Sequence, residues 1–281
     1  MKMKLHALAV LFAGTVAILS AGCNFLDQNQ DELLGIVEPP PEASDMTVPQ
    51  LIARMHEATD PKNVWRDSKA YILRQSVREE EKKGNSIVEH YYRTEIKFRQ
   101  PLQLRQTSFR DNAAFQTLIF RDDKAWSVDS RGVAEEMKQG TELNLFRNYI
   151  GFSDPKTTEA TLFPTIELAV VYLDEKRTYR MICRSSDPKI APYVKYVDAE
   201  TFLPVKAETV LYANDGAQYL YRSEPMDYRW VSNVRIPLRT KVTVGEKIEE
   251  FTTDEFIIDP PVDDGDFEIP QSAKIDYTKT K

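Results

Sequence analysis

The sequence predicts an α+β fold: a single large curved antiparallel sheet with helices covering its concave face. Three observations predict it. Apolar and polar residues alternate with a period of two along most of the chain, turn-forming pairs separate these runs at hairpin spacing, and helical spacing is confined to the opening and the middle of the chain. Nine or ten strands are expected between Lys69 and Ile269.

The chain begins with Lys2 and Lys4 ahead of a charge-free, mostly apolar run from Ala7 to Leu19, closed by Leu19-Ser20-Ala21-Gly22-Cys23. A cationic start, a short apolar stretch and small residues before a thiol form an export signal with a lipoprotein cleavage box. The segment resembles the signals of bacterial lipoproteins, although Ser20 replaces the usual aliphatic residue. That resemblance implies removal of residues 1–22, a diacylglyceryl thioether and an acylated amino terminus on Cys23, and hence a palmitate-type lipid anchor. An ordinary cleaved secretory signal would instead leave Cys23 a stray thiol. Asn24 follows the cysteine. In the sorting scheme of related bacteria an aspartate there retains a lipoprotein in the inner membrane, so asparagine favours the periplasmic face of the outer membrane.

Residues 23–46 are rich in Asn, Gln, Asp, Glu and Pro, with Glu38-Pro39-Pro40-Pro41-Glu42 in the second half, and are expected to form a lipidated, disordered tether. The globular domain is expected over 47–281. Thr47 and Gln50 form a capping box before Leu51, Ile52, Met55 and Ala58, which predicts an opening amphipathic helix of about three turns. The period then becomes two. Tyr71, Leu73 and Val77 share one face; so do Val88, Tyr92, Ile96 and Phe98, and so do Ile236, Leu238, Val242 and Val244. Lys83-Gly84-Asn85, Asp122-Asp123, Asn214-Asp215-Gly216 and Gly245-Glu246 supply hairpin turns. Helical patterning returns around Leu143, Phe146 and Tyr149 and around Ile166, Ala169, Val170 and Leu173. With the opening helix, these would cover the dry face of the sheet.

The net charge is −7, and becomes −9 once Lys2 and Lys4 leave with the signal. This acidity argues against nucleic acid and against electrostatic attachment to anionic lipid. Beyond the signal, the longest apolar stretch is Ile166–Leu173, interrupted by Glu167 and far short of the ~20 residues of a spanning helix. Cys183 alone remains besides the lipidated cysteine, so packing and not disulfides must hold the fold; alternation places it with Tyr179 and Met181 on one face, as a buried thiol.

Several segments resemble the periplasmic lipoprotein carriers and receptors LolA and LolB. They are Phe98-Arg99-Gln100-Pro101-Leu102-Gln103-Leu104, the hairpin Thr117 to Val128 with Asp122-Asp123 and Trp126, the stretch Tyr196 to Lys206, and the proline-marked exit Phe256 to Pro270. The resemblance spans roughly 47–271. It implies an incomplete β-barrel closed by helices, whose hydrophobic interior receives the acyl chains of lipoproteins, with Pro101 at the family's proline and Leu104 where the carrier has a cavity-lining aromatic. Gln100 stands where the carrier's lid-latching arginine is placed. Arg99 is one residue earlier, on the opposite face of the strand, so the resemblance does not imply a latched lid.

No Gly-x-Ser-x-Gly, phosphate-cradling glycine loop or Cys-His pair is present, and neither His56 nor His90 has a partner at metal-ligand spacing. No enzyme activity, cofactor or metal is expected. Glu79-Glu80-Glu81-Lys82-Lys83 and Asp259 to Asp266 read as solvated turns. Tyr212, Tyr219, Tyr221, Tyr228 and Trp230 fall in one hairpin region, either as cross-strand pairs or as a sugar-stacking platform. The expected function is binding of acyl chains of lipids or lipidated proteins by a membrane-anchored envelope lipoprotein, with a role in lipoprotein sorting. The expected cavity lining is Leu73, Val88, Tyr92, Ile96, Phe98, Leu104, Leu118, Trp126, Phe146, Val170, Ile236 and Leu238, and a Leu104→Glu chain is expected to fold but lose binding. An envelope-stress sensor or scaffold with a protein partner, and a carbohydrate-binding surface protein, are the alternatives on the same fold.

Overall fold

A computed structural model of the chain describes residues 30–36, 42–84, 86–137, 150–187, 190–212 and 217–270. Cys23 and Phe146 lie outside the described residues, as do the Asn214-Asp215-Gly216 turn and most of the helix expected around Leu143 to Tyr149.

The capping box forms as expected. Thr47 accepts from the Gln50 amide, Gln50 Oε1 accepts from the Thr47 amide at 2.8 Å, and the helix α2 runs Val48–Thr59 behind them. It follows a single turn, α1 (Gln30–Leu33). The strands are β1 (Glu42–Ala43), β2 (Ala70–Lys83), β3 (Ser86–Arg99), β4 (Gln103–Arg110), β5 (Ala113–Arg121), β6 (Lys124–Asp129), β7 (Ala134–Glu136), β8 (Thr165–Leu173), β9 (Lys176–Arg184), β10 (Tyr193–Asp198), β11 (Pro204–Tyr212), β12 (Gln218–Val231), β13 (Val234–Val244) and β14 (Lys247–Ile258). All fourteen form one antiparallel sheet in the order β1-β8-β9-β10-β11-β12-β13-β14-β2-β3-β4-β5-β6-β7, open between β1 and β7. A short helix, Glu159–Leu162, precedes β8, and a 3₁₀ turn, Asp264–Phe267, follows β14.

Among the described residues thirteen strands lie between Lys69 and Ile269, more than the nine or ten expected; four hairpins turn on pairs that carry no glycine, and of these only Asp122-Asp123 was among the expected turns. Asp111-Asn112, Asp122-Asp123, Asp174-Glu175 and Ser232-Asn233 all have positive φ at both positions, the type I′ geometry that matches strand twist. The second mid-chain helix is not formed. Ile166 to Leu173 is strand β8, whose two faces are both apolar: Ile166, Leu168 and Val170 pack inward, Val171 and Leu173 outward. Apolar residues on both faces erase the alternation and imitate helical spacing.

Cross-strand partners share a face, so the registers sort every strand into an inner and an outer side. The inner side carries three clusters. Tyr71, Ile96, Phe98, Leu104, Leu118, Phe120 and Ala125 form the first; Val170, Tyr179, Met181, Cys183, Tyr193 and Ala207 form the second, beneath Leu51 and Met55 of α2; Val77, Tyr92, Tyr221, Val242, Val244 and Phe251 form the third. The outer side is largely charged but carries an apolar patch, Ile182, Val194, Tyr196 and Val210, which Leu33, Leu34 and Ile36 cover. The described parts of the expected tether are therefore packed on the sheet, and β1 pairs with β8 through Glu42 and Ala43. Leu34 alone, 4% exposed, contributes about 1.5–3 kcal/mol to that packing.

Candidate functional site: a cleft between two apolar clusters

The inner face is not packed throughout. A cleft of about 310 Å³ opens between the first and second clusters. Trp65, Tyr71, Leu73, Val234, Ile236 and Phe256 make one wall, Phe152, Tyr193 and Ala207 the other, and Pro225 and Tyr228 lie between. The first wall is closely packed: the Trp65 ring is 4.5 Å from Tyr71 and 5.1 Å from Phe256, centroid to centroid, and Tyr71 stacks on Phe98 at 5.1 Å. The Tyr228 hydroxyl donates to the Pro204 carbonyl at 2.9 Å, tying β12 to the start of β11.

Three charged residues, Asp60, Lys195 and Arg235, also line the cleft. Lys195 comes from β10 and pairs with Glu159 of the short helix, both almost fully buried, with its ammonium 5.6 Å from the Phe152 ring and 5.8 Å from the Tyr193 ring. Burial pushes the Glu159 carboxyl up, but attraction to Lys195 and its hydrogen bond outweigh this and hold it below the usual carboxylate range. The pair pins residues 150–163 over the second cluster. Cys183 lies in that cluster, its thiol pushed up to about 12 by burial and by Glu159, and is inert as a nucleophile.

Of the expected lining, Leu73 and Ile236 face the cleft. Ile96, Phe98, Leu104 and Leu118 are packed core of the first cluster, with no more than 1% exposure, and Val170 is packed core under α2. Alternation marks the inner face correctly for these residues, but it does not separate lining from filling. Tyr92 belongs to the third cluster; Val88 lies further toward the β2–β3 tip and Leu238 further along β13, both half-buried and away from the cleft. Trp126 is a correction. It pairs with Ile119 and so stands on the outer side, while its neighbour Ala125 points inward. Trp65, Tyr193, Ala207 and Phe256 line the cleft without having been foreseen; Trp65 lies in an irregular segment without periodicity.

At the tip of the β2–β3 hairpin the inner face turns polar. Tyr92 donates to Glu249 at 2.9 Å, and Lys247 lies 2.8 Å from Glu249 and 3.1 Å from Glu79. Burial raises the Glu249 carboxyl to about 7 despite Lys247 and Tyr92. The side chains of Glu79, Glu81 and His90 converge within 4.8 Å, a cross-strand grouping that linear spacing does not reveal, with Lys247 already supplying positive charge to Glu79. On the outer face Arg99 hydrogen-bonds Gln103 and Asp264 and lies 5.2 Å over the Phe267 ring, clamping the 3₁₀ turn, while Gln100 donates to the Ser68 carbonyl at 3.1 Å. The one-residue offset thus sends the arginine to the opposite face, as alternation requires. The aromatic run of β11–β12 divides: Tyr219 and Tyr221 pack inward, Tyr212 outward, and Trp230 is exposed.

No helix among the described residues is long and apolar enough to cross a membrane. No family model matches the chain, and no curated protein matches it in sequence. Solved structures do. A LolA superfamily protein from Nitrosomonas europaea aligns over 79% of this chain and 98% of its own, at 12% identity and a TM-score of 0.56. A DUF1329 family protein from Desulfovibrio piger aligns over 78% of this chain and 95% of its own, at 10% identity and a TM-score of 0.52. A domain assigned to outer membrane lipoprotein sorting, from Vibrio parahaemolyticus, aligns over 77% of this chain and 94% of its own, at 12% identity and a TM-score of 0.50. With an open antiparallel sheet, inner-face helices and these neighbours, the chain has a LolA/LolB-like fold.

Proposed function

We propose that this protein is a non-enzymatic envelope lipoprotein, anchored through Cys23 at the periplasmic face of the outer membrane, that takes an acyl chain of a lipid or a lipidated protein into the cleft and serves in lipoprotein sorting. The observation that carries the reading is the cleft itself: an opening of about 310 Å³ on the inner face, walled by aromatic and aliphatic side chains of two separate clusters. Its volume is at the lower end of the few hundred Å³ of ligand sites, which suits one chain. Transfer of that chain out of water supplies about 25 cal/mol per Å² of buried apolar surface. The names of the Nitrosomonas and Vibrio relatives point the same way.

Native mass spectrometry of the purified full chain tests it directly and should find lipid or lipidated peptide retained. Ile236 is half-buried and lines the cleft. Ile236→Trp fills the opening and should lower binding of a fluorescent lipidated peptide at least tenfold while leaving the unfolding midpoint within a few degrees. Full binding by a folded Ile236→Trp chain removes the cleft as the site.

A further inference from the structure

We infer that the cleft is built for an acyl chain that carries a hydroxyl group, which hydrogen-bonds Gln75 of the lining and Thr94 directly beside it; this rests on the acyl-chain reading above. Gln75 on β2 stands directly opposite Thr94 on β3, both on the inner face. They are 5% and 1% exposed, and Gln75 lines the cleft. Both are buried, and among the described residues neither Gln75 Oε1 nor Thr94 Oγ1 has a hydrogen-bond partner. A buried polar atom left unpaired is costly, and two on cross-strand neighbours, one in the lining and one beside it, are unusual in a native core.

Their surroundings narrow the ligand. The pair Leu73 and Ile96 lies on one side and the pair Val77 and Tyr92 on the other, so along both strands the two polar side chains are flanked by apolar ones. A methylene passing over them strips water away and returns no hydrogen bond. A carboxylate cannot donate to Gln75 Oε1, and an ammonium cannot accept from the threonine hydroxyl. A hydroxyl does both from a single atom, donating to Gln75 Oε1 and accepting from Thr94. An amide separates donor from acceptor and suits two adjacent groups less well. The geometry therefore points to a hydroxylated chain over a plain one.

The test uses the full chain kept soluble in amphipol, with displacement of a fluorescent fatty-acid probe by hexadecanoate and by its hydroxy derivatives, the hydroxyl near the carboxylate or in mid-chain. One hydroxy derivative is expected to bind about five- to tenfold tighter than hexadecanoate, the worth of one well-made hydrogen bond in a desolvated site. In Gln75→Leu/Thr94→Val the preference should vanish while hexadecanoate binds as well or better. Thr94→Val alone removes one hydroxyl from nearly the same volume and serves where the double variant folds poorly. It should reduce the preference without lowering the urea midpoint. Equal affinity of all probes for the natural chain overturns the hydroxyl assignment and leaves the acyl reading standing. A preference that survives both variants overturns it as well, and failure of every probe to bind overturns both readings.

Discussion

Replacing Lys195 by methionine is the sharpest test of how the cleft is held open. Lys195 and Glu159 have side chains only 10% and 7% exposed, and the ammonium is enclosed by the Phe152 and Tyr193 rings. Methionine keeps the length of the stem and removes the charge, leaving the Glu159 carboxylate desolvated with no counter-ion. Breaking a buried pair from one side costs about 3–5 kcal/mol. Against a typical total of about 5–15 kcal/mol that is a large loss, on the order of 10 °C in melting temperature for a domain of this size. The assay is urea unfolding of the full chain followed by tryptophan fluorescence, to which Trp65 at the cleft contributes. The pH dependence adds a second readout. In the natural chain Glu159 is held below its ordinary 4.5, so the stability it contributes is present above that pH and is lost as the pH falls through the lowered value. In Lys195→Met the carboxyl moves above 4.5, so stability should instead fall as the pH rises from about 4.5 toward neutrality. Glu159→Gln in the same chain should restore most of the loss. A Lys195→Met chain that loses less than about 1 kcal/mol, or whose stability is flat with pH, refutes the buried pair.

Three further outcomes follow from the packing. Leu104, fully buried in the first cluster, should cost about 2–5 kcal/mol as Leu104→Ala and should fail to fold as Leu104→Glu, so its loss of binding would report unfolding and not an emptied cavity; circular dichroism separates the two. Glu249, raised to about 7 and facing Lys247, Tyr92 and, through Lys247, Glu79, binds a proton more readily folded than unfolded. Its contribution is therefore fully present below about 4.5 and lost as the pH rises through about 7, and Glu249→Gln should flatten that slope, by roughly 1–3 kcal/mol, in urea titrations at several pH values. Arg99→Ala removes the bonds to Gln103 and Asp264 and the cover over Phe267, and should expose the segment 262–270 to limited proteolysis while α2 stays protected.

Much of this architecture was legible in advance, for identifiable reasons. Thr47 and Gln50 announced α2 because a reciprocal cap needs only four residues. The long strands β2, β3 and β13 were visible because one face of each is wet. Strand β8 was hidden because both its faces are covered, inward by α2 and outward by its neighbours in the outer patch. The hairpins at Asp174-Glu175 and Ser232-Asn233 were hidden because side chains other than glycine adopt the left-handed conformation there. The packing of residues 30–36 was hidden by composition: Leu33, Leu34 and Ile36 are a short apolar island in a polar stretch, and only the outer patch on β9, β10 and β11 gives it a partner. Trp126 was misplaced because β6 is apolar at both Ala125 and Trp126, so alternation there offers no clear phase.

The cleft had a trace in the sequence, in what interrupts the dry faces. Tyr71, Leu73 and Val77 skip Gln75, and Val88, Tyr92, Ile96 and Phe98 skip His90 and Thr94; the skipped residues point inward with the others. Thr253 pairs with Gln75 on one side and Ser108 with Thr94 on the other, so a polar row, Thr253-Gln75-Thr94-Ser108, crosses four strands of the inner face. On one side of the row lie the Phe256, Leu73 and Ile96 of the first cluster, on the other the Phe251, Val77 and Tyr92 of the third. Burying such a row under hydrocarbon side chains would strand its polar atoms, so the clusters do not merge across it. A half-barrel whose inner face were apolar throughout would gain stability by collapsing onto itself. The polar row makes that collapse unfavourable along the edge of the cleft, where Thr253 and Gln75 belong to the lining and a guest able to meet Gln75 and Thr94 has the advantage over the protein's own side chains.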